Sequence, residues 1–367
     1  MSFPNKPNEN SSESSATDID GVLEEISERV AKARENRTPL KIVGGGTKNF
    51  YGRSTNGETL PLANYGGVTQ YEPAELVMTA RGGTALSEIE ETLAANDQML
   101  GFEPPGFGPT ATLGGVIASG LGGPRRPYGG AVRDAVLGVK IMTSSGEVLS
   151  FGGQVMKNVA GYDVSRLMTG ALGTLGVLLE ISVRVAPCAQ TESTIGWQIG
   201  PLEAHQKMIR LAQRPLPISA MAYDDGMMRV RLAGHPSAVM DAETELLADC
   251  QLSNNYWHEL KEQTLAFFKG TAPLWRLSVA PASVTELDGE WLWDWGGACR
   301  WLRSEEPRDR IREVARAAGG HASLFRHTAD DAPFAPLESA NQILHNRVKK
   351  VFDPHGIFNL GRIYAGL

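Results

Sequence analysis

Apolar residues recur at helical spacing close to the start of the chain. In DIDGVLEEISERVAKAREN, the side chains at positions 22, 23, 26 and 30 fall on one face of a helix. Either Thr17 or Asp18 can supply the capping oxygen at the start of this helix. The pattern therefore predicts an amphipathic helix that packs on a core.

The rest of the first half alternates short apolar strands with helices. The predicted strands are Lys41 to Val43, Leu76 to Ala80, the hairpin pair Val136 to Met142 and Val148 to Phe151, and a strand that ends at Val185. The predicted helices follow the Gly82-Gly83 turn, with Thr84 or Ser87 as cap, and begin again near Asp163. This order does not fit a doubly wound Rossmann sheet. It fits a two-lobed α+β domain.

The second half repeats a β-α-β rhythm. A hairpin is predicted to turn at Asp225-Gly226, and the segments LWRLSVA, WLWDWGGACRW and HASLFRH are predicted to be strands. The segments SAVMDAETELLADC and DRIREVARAAGG are predicted to be helices. Such a succession favours an antiparallel sheet with helices on one face.

Charge and apolar content limit the possible partners. The chain has 367 residues, enough for two or three domains, and its 42 acidic and 35 basic residues give a net charge of −7. Because no Lys/Arg block offsets this charge, a nucleic-acid partner is not expected. The apolar run GALGTLGVLLEISVRV is interrupted by Glu180 and Arg184, so direct membrane insertion is not expected. The polar start of the chain has no signal-peptide pattern, and a cytoplasmic location is predicted, with any contact to the inner membrane made through partners.

The cysteines and histidines exclude two kinds of chemistry from the first half. Cys188, Cys250 and Cys299 lie far apart, so this chain alone is not expected to hold an iron–sulfur cluster. No His or Cys occurs before Cys188. Whatever the first half binds is therefore expected to be bound without imidazole or thiolate.

A glycine triplet follows the first predicted strand in LKIVGGGTKNFYG. The order Gly46, Thr47, Lys48 does not fit a P-loop, in which the lysine directly follows the last glycine. The residues after Gly46 are also a poor start for the helix that a Rossmann fingerprint requires. Taken alone, the triplet is best interpreted as a turn, although a strand leading into bare backbone also suits a phosphate.

A second glycine-rich segment, PPGFGPTATLGGVIASGLGGPRRPYGG, supports an anion site. No acidic residue occurs between Glu103 and Asp134. Apolar residues stand among the glycines, so the segment is predicted to be a packed, ordered loop and not a flexible one. Small residues allow backbone N–H groups to approach a ligand, and no carboxylate repels its charge.

Five segments together resemble the FAD-binding domain of the vanillyl-alcohol-oxidase and p-cresol-methylhydroxylase (PCMH) type. They are VGGGTKNF, PTATLGGVIASGLGG, KNVAGYDVSRL, GTLGVLLEISVRV and FDPHGIFNLGRIYAG. More closely, they resemble the FAD-binding subunits of bacterial glycolate oxidase complexes. The resemblance is strong over positions 41–187, good over 351–366 and only general in between.

The resemblance implies a fold and a division of the chain. The implied fold is α+β, a two-lobed PCMH-type FAD-binding domain with a smaller antiparallel α+β cap domain. Residues 1–17 are expected to be a disordered polar tail, 18–187 the FAD-binding domain with lobes of about 18–100 and 101–187, and 188–335 the cap. Residues 336–367 are expected to form a C-terminal helix and tail that return to the FAD-binding domain.

The resemblance also implies which residues bind the cofactor. Positions 44–48 and 110–115 would wrap the FAD diphosphate, and 173–177 would line the nucleotide. The implied FAD-binding residues are Gly44, Gly45, Gly46, Thr47, Lys48, Thr110, Ala111, Thr112, Leu113, Gly114, Gly115, Ala118, Ser119, Gly122, Gly173, Gly176, Val177 and Asn359. Because the FAD-binding loops contain no His or Cys, we expect non-covalent FAD.

No catalytic residue is assigned and no metal site is predicted. Family members that oxidise 2-hydroxy acids carry a His-x-Gly-Asp-Gly-Asn-x-His stretch in the cap, and this chain has none. His321 and His327 are six residues apart, a spacing that suits neither one helix face nor a known ligand pair. Arg326 can bind a carboxylate, but an ion-paired surface arginine is the favoured interpretation.

Three hypotheses follow. In the favoured one, the chain is an FAD subunit of a glycolate oxidase complex that converts glycolate to glyoxylate and passes electrons from flavin towards an iron–sulfur subunit. A second, homologous FAD subunit would carry most of the substrate oxidation, so this chain is expected to be active only in complex. The second hypothesis is a self-sufficient FAD-dependent 2-hydroxy-acid dehydrogenase, and the third is a flavin-free scaffold, against which the ordered glycine loops argue.

The first hypothesis requires a partner surface. Trp291, Trp293 and Trp295 alternate with period two, which favours sheet packing or an interface over a flavin cage. Exposed apolar surface is therefore predicted along Trp291 to Trp301 and at the Met227-Met228 hairpin.

Overall fold

The computed structural model describes residues 18–153, 163–326 and 332–367. The predicted polar tail, most of the KNVAGYDVSRL motif and His327 lie outside these residues. The fold is α+β, as predicted. Two larger sheets follow each other along the chain.

The N-terminal part, residues 18–187, contains a two-stranded parallel sheet and a five-stranded antiparallel sheet. The parallel pair is β1 (Leu40–Val43) and β2 (Glu58–Pro61). The larger sheet contains β3 (Val68–Glu72), β4 (Val77–Arg81), β6 (Val136–Met142), β7 (Val148–Gly152) and β8 (Val177–Arg184), in the order β3-β4-β8-β6-β7. Its central strand β8 pairs with β4 and β6. Strands from both sides of position 100 therefore share one sheet, and the predicted lobe boundary does not divide it.

Six helices and a small strand pair complete this part. The helices are α1 (Ile19–Asn36), α2 (Leu86–Ala94), α3 (Leu113–Ser119), α4 (Arg126–Gly129), α5 (Val132–Ala135) and α6 (Val164–Met168), and β5 (Gln98–Met99) pairs with β9 (Ala186–Pro187). Asp18 caps α1 by accepting a hydrogen bond from the N–H of Gly21 at 3.1 Å. The cap prediction for α2 was wrong: Ala85 is the first residue, and the Thr84 hydroxyl donates to the carbonyl of Arg81 at 2.7 Å.

The glycine-rich segment after position 104 is ordered and contains a helix that was predicted as loop. The Thr112 side chain caps α3, and Gly120 ends it in a left-handed conformation. Leu113, Val116 and Ile117 are fully buried in the N-terminal core. The sequence reading missed this helix because glycines interrupt its apolar pattern.

The C-terminal part contains one eight-stranded antiparallel sheet. Its strands are β10 (Thr191–Gln198), β11 (Ile218–Asp224), β12 (Met227–Gly234), β13 (Cys250–Leu252), β14 (Leu274–Ser278), β15 (Glu290–Asp294), β16 (Cys299–Arg303) and β17 (His321–Arg326), in the order β13-β10-β12-β11-β15-β16-β14-β17. Its helices are α7 (Pro201–Ala212), α8 (Pro236–Leu246), α9 (Asn255–Glu262) and α10 (Arg308–Ala317). The segment WLWDWGGACRW, predicted as one strand, is a hairpin of β15 and β16. The turn contains Gly296 and Gly297, both with positive φ.

A last helix, α11 (Ser339–Phe352), leads into a tail that returns to β1. The N–H of Leu40 donates to Ile357 at 2.7 Å, and Leu40 bridges Phe358 in parallel. Lys349 pairs with Asp353 at 2.7 Å and donates to the carbonyl of Phe358 at 2.8 Å. The tail is thereby fixed against the strand that leads into the glycine triplet.

The predicted exposed apolar surface was wrong. Trp295 and Trp301 are only 6% and 7% exposed, and Met228 is fully buried. Trp293 is half-buried against the ring of Tyr223, at 5.2 Å between ring centroids. Large exposed apolar side chains occur instead on α11, at positions 343, 344 and 351. Among the described helices, none combines the length and apolar character needed to cross a membrane.

Candidate cofactor site

A pocket of about 570 Å³ opens where β1 ends in the glycine triplet. Its lining combines the triplet with one face of α3 and with the returning tail. The approach of these segments depends on glycine: a Cβ atom on Gly44 would lie 2.3 Å from the Thr112 hydroxyl oxygen, and one on Gly45 would lie 1.4 Å from the carbonyl oxygen of Thr110. Any larger residue at position 45 therefore forces the backbone apart.

The backbone donors at the mouth of this pocket are available to a ligand. In the part of the chain that the structure describes, the N–H groups from Gly45 to Lys48 donate to no other residue. The Thr110 hydroxyl fixes the loop by donating to the Gly45 carbonyl at 2.8 Å. A row of free amide donors in a glycine loop is the usual means of holding a phosphate group.

Cations line the pocket, and the described lining residues include no acidic side chain. The Nζ atom of Lys48 donates to the Gly106 carbonyl at 3.1 Å. Burial lowers the pKa of Lys48 to about 8, although the nearby Glu262 carboxylate opposes this shift. The buried Arg362 guanidinium donates to the carbonyls of Arg53 and Asn49 at 2.8 and 3.0 Å, and burial lowers its pKa. Both cations are available to compensate a diphosphate.

One buried polar atom in the pocket has no partner. The hydroxyl oxygen of Thr55 is buried without a hydrogen bond, and Thr55 lines the pocket. Buried polar atoms in folded proteins nearly always have a partner, so this hydroxyl is suited to a bound group. The glycine approach, free amides, cations and unpartnered hydroxyl together fit the anionic diphosphate of FAD.

The structure brings most of the predicted cofactor residues to this pocket. The predicted residues in its lining are Gly44, Gly45, Gly46, Thr47, Lys48, Thr112, Gly115, Ala118, Ser119 and Asn359. Thr110 lies beside it and bonds to Gly45. Asn359 has mainly a structural part, because its amide accepts from the N–H of Ile42 at 2.8 Å and donates to the Leu172 carbonyl at 2.7 Å.

The remaining predicted residues do not line the pocket. Gly114 was expected at the diphosphate, but its N–H donates to the Gly82 carbonyl at 2.8 Å. Leu113 and Val177 are fully buried in the core, which leaves them no access to a ligand. Ala111, Gly122, Gly173 and Gly176 also lie outside the lining. A Cβ atom on Gly173 would meet the Asn359 amide at 2.6 Å, so this glycine makes room for the tail.

The sequence reading assigned no role to Thr55, Leu172 or Arg362. Arg362 stands in the NLGRIYAG segment, where a single basic residue among small ones was the available signal. Leu172 has a left-handed backbone, φ +50°, that sequence does not reveal. These residues reach the pocket only through long-range contacts.

The residues considered for substrate chemistry are dispersed. Within the described residues no group of three or more His, Cys, Asp or Glu side chains could hold a metal ion. Arg326 was expected to be ion-paired, but it donates to the Gln263 amide at 3.0 Å and lies 4.3 Å from the ring centroid of Phe50. His321 is at the start of β17, where burial and then Arg276 lower its pKa.

The fold and the pocket define an FAD-binding protein. Residues 22–152 match the FAD_binding_4 family, described as an FAD binding domain. The solved structure of an alkyldihydroxyacetonephosphate synthase has the same fold, with a TM-score of 0.62 and 15% identity over 92% of this chain and 74% of that one.

Curated relatives specify the family. The chain is 46% identical to the glycolate oxidase subunit GlcE of Escherichia coli (strain K12) over 93% of this chain and 97% of that protein. It is 30% identical to the glycolate oxidase subunit GlcD of Bacillus subtilis (strain 168), over 47% of this chain and 37% of GlcD. A D-lactate dehydrogenase of Archaeoglobus fulgidus is 29% identical over 53% of this chain and 44% of that enzyme. The chain belongs to the family of the glycolate oxidase subunit GlcE.

Proposed function

We propose that this chain is the FAD-binding oxidoreductase subunit of a glycolate oxidase complex. The single observation that supports this best is the 46% identity to GlcE over nearly the whole of both chains. The pocket at the end of β1 supports the cofactor part, because its free amides and cations suit a diphosphate. FAD supplies two-electron redox chemistry, accepting electrons from a 2-hydroxy acid and passing them on.

The partners in this proposal are a second, homologous FAD subunit and an iron–sulfur subunit. The second flavin subunit is suggested by the similarity to GlcD over about half of this chain. The iron–sulfur subunit follows from the three scattered cysteines, which cannot ligate a cluster here. Substrate oxidation takes place mainly on the GlcD-like subunit, and any association with the inner membrane is made by partners.

The role of this chain's residues is to bind and orient the cofactor. Gly45 and Gly46 present amides to the diphosphate, and Lys48 and Arg362 compensate its charge. Asn359 fixes the end of β1 against the returning tail. We further propose that residues 18–187 form the FAD-binding domain, 188–335 the cap, and 336–367 the returning helix and tail.

Absorbance of the purified chain tests this function. The chain alone should show a flavin spectrum, and anaerobic glycolate should reduce that flavin negligibly. Addition of the GlcD-like and iron–sulfur partners should produce glycolate oxidation. Rapid oxidation of glycolate by the chain alone, with an artificial acceptor, would support the alternative of a self-sufficient 2-hydroxy-acid dehydrogenase. Absence of flavin would support a scaffold.

The mode of FAD attachment gives a separate prediction. The described residues that line the pocket include no His or Cys, the side chains that commonly bond flavin. Acid precipitation of the flavin-loaded chain should therefore leave the yellow colour in the supernatant. A yellow pellet would contradict non-covalent binding.

A further inference from the structure

A second cavity, of about 360 Å³, lies where the N-terminal and C-terminal parts meet. Its apolar walls include Phe107 and Leu121 from the first part and Leu260, Trp301 and Phe325 from the second. Four polar side chains also line it, namely Lys261, Gln263, Arg276 and Asp294. A mostly apolar cavity with a few convergent polar groups is the usual form of a small-molecule site, and this volume lies at the small end of that range.

The Arg276 guanidinium is the distinctive group in this cavity. It lies 4.9 Å from the ring centroid of Trp295 and 5.9 Å from that of Trp301. Its polar neighbour is the thiol of Cys299. Within the described residues it forms no ion pair with a carboxylate and donates to no carbonyl oxygen.

Other buried arginines in the C-terminal part are fully engaged. Arg231 donates to the carboxylate of Glu103 at 2.8 and 3.0 Å. Arg303 donates to the carbonyls of Phe267 and Ala272, each at 2.6 Å. Arg276 thus keeps a planar donor fork, fixed by two indole rings, without the oxygen partner that a guanidinium normally has in a protein interior.

The cavity wall contains unusual backbone conformations. Phe107, Gln263 and Trp295 have φ of +56°, +56° and +54°, which is rare for bulky side chains. Trp295 is held there by a hydrogen bond from its indole N–H to the Gly123 carbonyl at 2.9 Å, which joins the two parts of the chain. Strain of this kind persists where the surrounding structure imposes it and is concentrated at functional sites.

We propose that this cavity binds a small organic carboxylate, whose two oxygens accept from the Arg276 guanidinium. The carboxylate and the planar fork match in geometry, and the neighbouring Lys261 adds a second positive charge. The site goes beyond the proposed function, because binding a carboxylate does not require this chain to oxidise it.

The cavity is close to the cofactor pocket. Residues of α3 line the cofactor pocket, and Leu121, Gly122 and Gly123, which follow this helix, line the cavity. Lys48, at the cofactor pocket, donates to Gly106 beside Phe107. A carboxylate on Arg276 would therefore be bound next to the FAD-binding loops.

Asp294 adds a group suited to a hydroxyl or oxo substituent. It is 4% exposed, and one carboxyl oxygen accepts from the N–H of Trp295 at 2.7 Å. Burial raises the pKa of Asp294 to about 7, although Arg276 opposes this shift. Near neutral pH this carboxyl is therefore partly protonated, so it can donate a hydrogen bond and its repulsion of an incoming anion is reduced.

Calorimetric titration of the flavin-loaded full chain tests the proposal. Glycolate serves as the carboxylate and glycolamide as its neutral analogue. Glycolate should bind, and glycolamide should bind roughly tenfold more weakly or worse. Arg276→Gln should weaken glycolate binding by about 10- to 100-fold, because a charge-assisted hydrogen-bond pair is lost.

Arg126→Gln is the matched control. The Arg126 guanidinium lies 4.4 Å from the same Trp295 ring but does not line the cavity. Its substitution should leave glycolate affinity unchanged.

Three results would overturn the proposal: no glycolate binding by the flavin-loaded chain, equal affinity for glycolate and glycolamide, or unchanged affinity in Arg276→Gln. If Arg276→Gln does not fold, the comparison of glycolate with glycolamide on the unsubstituted chain decides. Failure of the chain to support glycolate oxidation in the complex would count against the proposed function but not against this site.

Discussion

A Cβ atom at position 45 would lie 1.4 Å from the carbonyl oxygen of Thr110, a distance that no side-chain movement can relieve. Gly45→Glu must therefore displace the glycine triplet, and it adds a negative charge where a diphosphate is expected. The purified variant should contain no FAD by absorbance, while its circular dichroism spectrum remains that of the parent. Full flavin content would place the diphosphate elsewhere.

Gly200→Glu is the control for this substitution. A Cβ atom on Gly200 meets nothing within 4 Å, and its φ is −72°. The same change of charge and size at position 200 should leave FAD content intact.

Lys48 gives the site a predicted pH dependence. Its pKa is lowered to about 8 in the cofactor-free fold, so its charge is lost as pH rises through that value. The FAD dissociation constant should therefore increase between pH 7 and 9, and Lys48→Met should show weaker binding with a smaller pH effect. Fluorescence titration with FAD at several pH values measures both.

The same shift predicts an opposite trend for stability without cofactor. Between about pH 8 and the ordinary value of 10.5, the unfolded chain holds a proton on Lys48 that the folded chain has released. Since the unfolded state binds more protons, the contribution of Lys48 to the free energy of unfolding rises with pH across this window. Lys48→Met should lack that contribution; an identical slope in both proteins would contradict the assigned pKa.

Sequence identified these residues unevenly, for a physical reason. The motif from Gly44 to Lys48 was placed well because bare backbone after a strand has a direct use in holding phosphate. Gly114 was misplaced, whereas Gly115 was not. The two adjacent residues face different sides of α3, and a glycine-rich pattern predicted as loop contains no information about which side faces the ligand.

At the scale of elements, Asn359 connects three segments that are remote in sequence. It bonds to the end of β1 through Ile42 and to the turn at Leu172, and its own N–H donates to Leu40 at 2.9 Å. Asn359→Ala leaves a buried N–H and a buried carbonyl without partners and should cost about 1–3 kcal/mol of stability. It should also weaken FAD binding, because β1 and the turn both border the pocket.

Asn359→Asp is an informative companion. An aspartate keeps an acceptor for the N–H of Ile42 but loses the donor to Leu172 and places a negative charge in the pocket. FAD affinity should fall more in Asn359→Asp than in Asn359→Ala, whereas thermal unfolding measures the shared structural effect. Unchanged stability in Asn359→Ala would show that the tail is not fixed through this amide.

The elements themselves were predicted best where one pattern dominated. Helix α1 and the hairpin of β6 and β7 have regular periodicity and a capping or turn residue at their ends. The hairpin of β15 and β16 was predicted as one strand because apolar alternation continues on both sides of Gly296 and Gly297. The glycine pair was the turn signal.

At the scale of the whole molecule, the tryptophan-rich hairpin shows what a single sequence cannot predict. An apolar stripe indicates burial but does not distinguish a partner chain from another part of the same chain. Here the same chain supplies the cover: Trp295 belongs to an apolar cluster that also contains Leu121 from the N-terminal part. The interface that was predicted between subunits is a junction within one subunit.

This junction also contains a buried ion pair, which gives the last prediction. Arg231, on β12, donates to Glu103 at 2.8 Å, and their side chains are only 6% and 13% exposed. Glu103 also accepts from the N–H of Arg125 at 3.1 Å. Arg231→Met leaves the Glu103 charge buried without its partner and should lower stability by about 3–5 kcal/mol. Scanning calorimetry of the flavin-loaded chain should show one transition in the parent and an earlier, broader or divided one in the variant.

The double variant Glu103→Gln with Arg231→Met separates the pair from packing. It removes both charges, so it should recover much of the stability that Arg231→Met loses, because the larger cost lies in an uncompensated buried charge. Equal losses in the single and double variants would show that packing, and not charge, connects the two parts at this point. A single sharp transition in Arg231→Met would show that the two parts unfold together without the pair, held by the apolar contacts around Trp295.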